Sequence, residues 1–138
     1  MDRISLETAN KLAVKGMSTA TADYARPICI AVCDGNGDLL AFARMDGAPS
    51  RSIAISQGKA YSAARLGVNT DAFLERLHRE QIQASDFCDA RITSLPGGAI
   101  LKSASGAVIG AVGVSGLKSE EDQAIVYKLA ALVAAGSV

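Results

Sequence analysis

Between Ser5 and Tyr24, apolar or small side chains recur at Leu6, Ala9, Ala13, Met17, Ala20 and Tyr24. Steps of three and four residues put them on one stripe of an amphipathic helix. Ser5 suits the N-cap, and Glu7 suits the positive end of the helix dipole in the first turn. The period then changes. In "RPICIAVCDGNGDLLAFARMDG", residues 28–33 form a β-branched apolar run. "DGNG" supplies residues that tolerate positive φ, and residues 39–44 return as the second arm of a hairpin.

Helical periodicity resumes over residues 50–66 and 70–84, broken at "GVNT". Gly67 can end the first of these helices and Thr70 can cap the second. "SDFCDARITSLPGG" reads as an irregular connection. A second hairpin follows, with arms at 99–103 and 107–114. A last helix opens at Ser119, where S-x-x-D (Ser119 to Asp122) resembles a capping box, and Ile125, Leu129, Leu132 and Val133 form its inner face. The order is α-ββ-αα-ββ-α, and no repeat, linker or low-complexity tract divides it. This predicts one domain over residues 1–138, an α/β protein of the α+β type with a central antiparallel sheet flanked by helices. "ICIAVC" and "AVIGAVGV" are apolar on both faces, so helices or another subunit should cover both sides of the sheet.

Composition narrows the function classes. Hydrophobic residues make up 49% of the 138, enough for a real core and against disorder. Fourteen basic residues balance fourteen acidic ones, and aromatics are only 4%, which argues against a nucleic-acid partner. No apolar run is long enough for a transmembrane helix, and the polar N-terminus does not read as a signal peptide, so the expected location is cytoplasmic, with no membrane partner. Cys29, Cys33 and Cys88 lack C-x-x-C spacing and read as free thiols. With a single histidine in the chain, no metal site is expected.

Candidate chemistry gathers at a few places. Gly58 and Lys59 lie inside the Ala/Ser-rich second helical segment, in "ISQGKAYSAA". A glycine within a helix costs about 1 kcal/mol against alanine, so Gly58 predicts a backbone or ligand close by. Lys59 has two readings: a solvated or snorkelling lysine, or an anion contact or carbonyl-reactive amine in a pocket. Arg44 and Asp46, at a strand end, either brace the following turn or touch substrate. "PGG" (96–98) and "GAVGVSG" (110–116) lack Walker and Rossmann spacing. Gly113 marks a close approach or bulge. Gly116 and Ser119 stand where a helix N-terminus can hold an anion. His78 borders an apolar stripe, as a packed or half-exposed side chain or as a haem or metal ligand. No Ser-His-Asp or paired-carboxylate arrangement stands out.

Taken together, "AVCDGNGDLLAFARMDGA", "GKAYSAA", "PGGAILKSASGAVIGAVGVSG" and "EEDQAIV" resemble successive landmarks of the GlcG/HbpS-like family. That family is also called the haem-degrading domain and forms the C-terminal part of PduO-type proteins. The resemblance spans about residues 5–136. It implies an α/β sandwich that assembles into symmetric homo-oligomers, often octamers. Arg44, Asp46, Lys59, Gly98, Gly113, Ser115, Gly116 and Asp122 occupy the family's signature positions. The implied function is binding of a small ligand, haem or another carboxylate-bearing metabolite, by Arg44, Lys59, Gly98, Ser115, Gly116 and Asp122, as an accessory to a catabolic operon. The first helix carries no histidine, so haem would turn to His78, a cysteine or a non-histidine ligand. The rival expectation is an enzyme acting on a carbonyl or enol, such as a muconate-type ring-cleavage metabolite, with Lys59 as catalyst and Asp46 or Asp122 as acid or base. The helix edged by Ala54, Ala60, Ala63 and Ala64 would pack tightly on the sheet or on a neighbouring subunit, and Lys59 would reach out of that contact into a pocket.

Overall fold

The computed structural model describes residues 3–138. Helix α1 spans Leu6–Tyr24, strands β1 and β2 span Cys29–Asp34 and Leu39–Arg44, and helices α2 and α3 span Arg51–Leu66 and Thr70–Glu80. A short 3-10 turn at Ala84–Phe87 leads to strands β3 (Gly98–Lys102) and β4 (Val108–Ser115) and to helix α4 (Ser119–Ala134). The element order is the expected one, and the sheet is antiparallel throughout, ordered β2-β1-β4-β3. Ser5 caps α1 as expected, its hydroxyl accepting from the Thr8 amide at 3.1 Å. The third helix stops earlier than its pattern suggested, because Gln81 turns left-handed at φ 55°. No helix among the described residues is long and apolar enough to cross a membrane.

Alternation along β1 and β4 sorts the core into two layers. Ile28, Ile30, Val32, Val112 and Val114 face α1 and α4, where Leu12, Ile125, Val126 and Leu129 complete the larger core. The opposite side chains, Ala31, Cys33 and Ala111, meet Ala60, Ala63 and Ala64 of α2. Both faces of the central strands are therefore covered within one chain. Of its two expected places, the alanine stripe occupies the chain's own sheet. Ala60, Ala63 and Ala64 are buried against the chain's own sheet, and only Ala54 is exposed. A bulky residue at Ala63 would disrupt this core rather than report on assembly.

Small residues bring α2 unusually close to the sheet. A Cβ on Gly113 would lie 2.2 Å from the Ser56 carbonyl oxygen and 2.6 Å from the Ala60 amide nitrogen. A Cβ on Gly98 would lie 2.5 Å from the Lys59 carbonyl oxygen. Backbone atoms cannot swing aside, so both positions exclude any side chain. At the sheet edge, the Gly98 and Ile100 amides donate to the side chains of Thr70 and Asn69, at 2.9 and 3.0 Å. The start of α3 thus pairs the outer rim of β3 and blunts an open strand edge.

The close approach predicts a sharp contrast between glycines. Gly113→Ala should cost about 3 kcal/mol, the upper range for overpacking, and lower Tm by roughly 6–12 °C at this chain length. Gly58→Ala, whose new Cβ would meet nothing nearer than 3.7 Å, should be neutral or stabilise by up to about 1 kcal/mol. Thermal denaturation of the two variants compares them directly. Equal melting temperatures would refute the close-approach account.

Candidate functional site

Lys59 projects from the middle of α2 and is only 3% exposed. Its ammonium donates to the Val114 carbonyl at 2.8 Å and to Asp122 Oδ2 at 3.1 Å. It is neither solvated nor snorkelling. Asp122, in the first turn of α4, is equally buried, and its other oxygen accepts from the Leu117 amide at 3.1 Å. The capping box expected from Ser119 and Asp122 does not form. Glu121 takes the capping role, accepting from the Lys118 amide at 3.1 Å, and this leaves Asp122 free to turn inward to Lys59.

Glycine makes room for the pair. Gly97 sits at φ 126°, and a Cβ there would fall 2.6 Å from the Val114 carbonyl oxygen, 2.7 Å from Lys59 Nζ and 3.0 Å from Asp122 Cβ. The neighbouring Gln123 holds this turn in place. Its amide oxygen accepts from Gly97 N at 2.5 Å, and its amide nitrogen donates to the Gly98 carbonyl at 3.1 Å. Consecutive residues of α4 therefore hold the lysine and the glycine turn that admits it.

The pair forms one wall of a cleft of about 250 Å³ where the first turn of α2, the end of β4 and the first turn of α4 meet. Ser52, Ile55 and Lys59 of α2 line it at helical spacing, with Arg51 at the mouth. Ser115 and Gly116 of β4 and Lys118 and Ser119 of α4 face them. Ser115 donates to the Ser52 hydroxyl at 3.1 Å across the buried end. Arg26 joins the rim; it lies 3.8 Å from Glu121, whereas Arg51 and Lys118 make no ion pair among the described residues. The first turns of α2 and α4 add partial positive charge, although the Ser52, Ile53 and Glu121 amides already donate to the Pro49, Ser50 and Lys118 carbonyls. A lysine ammonium has three N–H groups, and two are used, so Lys59 keeps one for a guest.

Burial and charge oppose each other here. Desolvation pulls the Lys59 ammonium below its ordinary value despite the attraction of Asp122. The same burial pushes the Asp122 carboxyl up, against the pull of Lys59 and the Leu117 amide. An Asp with a raised folded-state pKa contributes stability that is complete below the ordinary carboxylate range and fades as pH rises through the folded value. A depressed Lys contributes only above its ordinary value of about 10.4 and loses that as pH falls. Near neutral pH the ionised pair is therefore held at a net cost.

The expected site residues divide. Lys59, Ser115, Gly116 and Asp122 converge on the cleft. Gly98 lies behind Lys59 and serves packing. Arg44 sits at the end of β2, in register with Cys29, which in turn pairs with Ser115, so its backbone is two strand spacings, roughly 10 Å, away. Its guanidinium is exposed and donates twice to the Ala48 carbonyl, at 3.1 and 3.0 Å, bracing the turn that carries the exposed Asp46. His78 is exposed on α3 and lines no part of the cleft. Among the described residues no cluster of His, Cys, Asp and Glu could hold a metal ion. Sequence reasoning missed Arg26, Arg51, Ser52 and Lys118 as cleft residues. Their one common signal is position, since each lies just before or at the start of a strand or helix.

The pair predicts a coupled loss. Lys59→Met should destabilise the fold by about 3–5 kcal/mol, because Asp122 is left buried without its counter-ion. Lys59→Met combined with Asp122→Asn should recover most of that loss. Without Lys59 the Asp122 pKa rises further, so the single variant's deficit should shrink as pH falls from 7 towards 5. Urea denaturation at both pH values measures this. A double variant as unstable as the single one would refute the coupling.

Comparison with known proteins agrees with this architecture. A family model described as haem degrading protein HbpS-like matches residues 4–131. The crystal structure of Klebsiella pneumoniae protein ORFY superposes with a TM-score of 0.87 at 30% identity, covering 98% of this chain and 93% of that one. A double mutant of Streptomyces reticuli HbpS superposes with a TM-score of 0.85 at 28% identity, covering 96% and 88%. A 15.0 kDa protein of the dhaT-dhaS intergenic region of Citrobacter freundii is 31% identical over 121 residues, 87% of this chain and 84% of the relative. The chain belongs to the HbpS-like haem degrading protein family.

Proposed function

We propose that this protein binds a small carboxylate-bearing ligand in the Lys59 cleft. The observation that carries the reading is a buried lysine with one N–H to spare, in a cleft rimmed by Arg26, Arg51 and Lys118. A carboxylate entering there receives charge-assisted hydrogen bonds from Arg51 and Lys59, hydroxyl donors from Ser52 or Ser115, and the first-turn amides of α4. Asp122 keeps Lys59 charged and aimed without neutralising the rim. Assembly into a symmetric homo-oligomer, an octamer or another closed form, is part of the proposal and rests on the family resemblance; light scattering measures it.

Haem is a second reading, favoured by the family description. The rim cations suit its propionates. The donor set does not suit its iron, because no His, Cys, Met or Tyr lines the cleft and His78 lies on an exposed face of α3. The catalytic reading is a third. Burial draws Lys59 towards the neutral amine that carbonyl chemistry needs. In that case Asp122, not Asp46, is the acid within reach of it.

Ligand-dependent stabilisation separates these readings. A carboxylate at a hundred times its dissociation constant should stabilise the fold by about 2.7 kcal/mol, readable as a thermal shift with glycolate or propionate. Arg51→Ala should weaken binding by about 10- to 100-fold, the value of a hydrogen bond to a charged group. Raising salt should weaken it too, since the rim charges are exposed. No shift with any carboxylate would reject the proposal. A saturable Soret change with haem that His78→Ala abolishes would favour the haem reading instead.

A further inference from the structure

A second cavity, of about 480 Å³, lies beside the cationic cleft. Its walls are the outward face of α2, with Ile53, Ala54, Ile55 and Gly58, and the strap that precedes β3, with Ile92 and Leu95. Ile55 and Leu95 line both spaces, so the two lie side by side across these two side chains. One end presents Lys59, Arg51 and two helix N-termini. The other carries the aliphatic side chains of Ile53, Ile55, Ile92 and Leu95, with Gln57, Arg91 and Thr93 among them, and Leu95 is 47% exposed at its lip.

Gly58 is the second observation. Gly97, Gly98 and Gly113 are required by atoms of the chain itself, with contacts to an added Cβ of 2.6 Å or less. At Gly58 the nearest atoms, the Arg91 carbonyl oxygen and Thr93 Cγ2, would lie at 3.7 Å, an ordinary van der Waals distance. The chain's own packing thus gives no reason for a mid-helix glycine at the floor of this groove. A guest in the groove does.

We infer that the ligand is an amphipathic monocarboxylate, whose head group binds in the Lys59 cleft and whose unbranched or single-ring apolar body lies in the groove over Gly58. This rests on the carboxylate reading of the cleft and extends it to the rest of the molecule bound. Charge complementarity fixes the direction, with the anion against Lys59 and Arg51 and the hydrocarbon against Ile53, Ile55, Ile92 and Leu95. A short hydroxy acid leaves the groove unfilled.

Calorimetric titration of the intact chain with propionate, butanoate, octanoate and octanol tests it. Each methylene that enters the groove should tighten binding about fourfold, so octanoate should exceed butanoate by about thirtyfold or more even if the tail is only partly covered. Gly58→Leu fills the groove and should abolish that chain-length gain while leaving propionate affinity within about threefold. Gly58→Ala, measured alongside, checks that the helix tolerates a side chain at this position. Octanoate binding no tighter than butanoate, or a gain that survives Gly58→Leu, overturns the inference while the carboxylate reading stands. Failure of every acid overturns both. Octanol binding as tightly as octanoate overturns the shared-ligand geometry. A fall in molecular mass with Gly58→Leu, seen by light scattering, assigns the groove to a second copy of the chain and also overturns it.

Discussion

The contact between Lys59 and Asp122 ties the centre of one helix to the first turn of another and, through the Val114 carbonyl, both to the central sheet. Lys59 comes from the centre of α2, Asp122 from the first turn of α4, and the Val114 carbonyl from the last residues of β4. A charged side chain can occupy that position only if helix, strand and turn approach closely enough to enclose it. The glycines follow from this. Gly113 lets α2 descend onto β4, Gly98 clears the Lys59 carbonyl, and Gly97 vacates the space that the ammonium needs. Gln123 then fixes the Gly97 turn from the same helix that supplies Asp122. Remove the pair and the small residues around it have no common purpose.

Most of the fold was legible because its signals are local. Period-two and period-3.6 patterns, the Ser5 cap and the "DGNG" turn depend on neighbours a few residues apart, and each produced its element. The fate of individual side chains was less legible, for a physical reason. Ser119 and Asp122 match a capping box at the level of spacing, but the helix is capped one residue earlier, where Glu121 accepts from the Lys118 amide, and Asp122 turns to Lys59, 63 residues distant in sequence. The alanine stripe of α2 likewise permits close packing against any flat surface. Sequence cannot say whether that surface is the chain's own sheet or another subunit's. In the folded chain it is the sheet.

Candidate chemistry divided along the same line. Lys59, Ser115, Gly116 and Asp122 were singled out and do meet. Arg44 and Asp46 were grouped with them on motif alone, yet β1 and β2 carry them two strand positions aside. Arg26, Arg51 and Lys118 escaped notice because each looks like an ordinary surface cation in isolation. They acquire meaning only when the starts of β1, α2 and α4 are brought to one end of the sheet. This end brings Arg26, Arg51, Lys59 and Lys118 together with Glu121 and Asp122, which pair with Arg26 and Lys59, so Arg51 and Lys118 are the cations left without an ion pair among the described residues.

A buried ion pair in this setting is weak evidence of a stabilising device. Its desolvation cost exceeds or matches its attraction, as the opposed shifts of Lys59 and Asp122 show. A neutral pair of similar shape would fill the same space without that cost. What a neutral pair could not do is hold a permanent positive charge against one side of a cleft while satisfying its other hydrogen bonds. Asp122 and Val114 consume two of the three N–H groups of Lys59 and thereby aim it. Exposed Arg51 and Lys118 have no such constraint and are screened by solvent. The buried lysine therefore gives the cleft direction, and the rim cations give it reach.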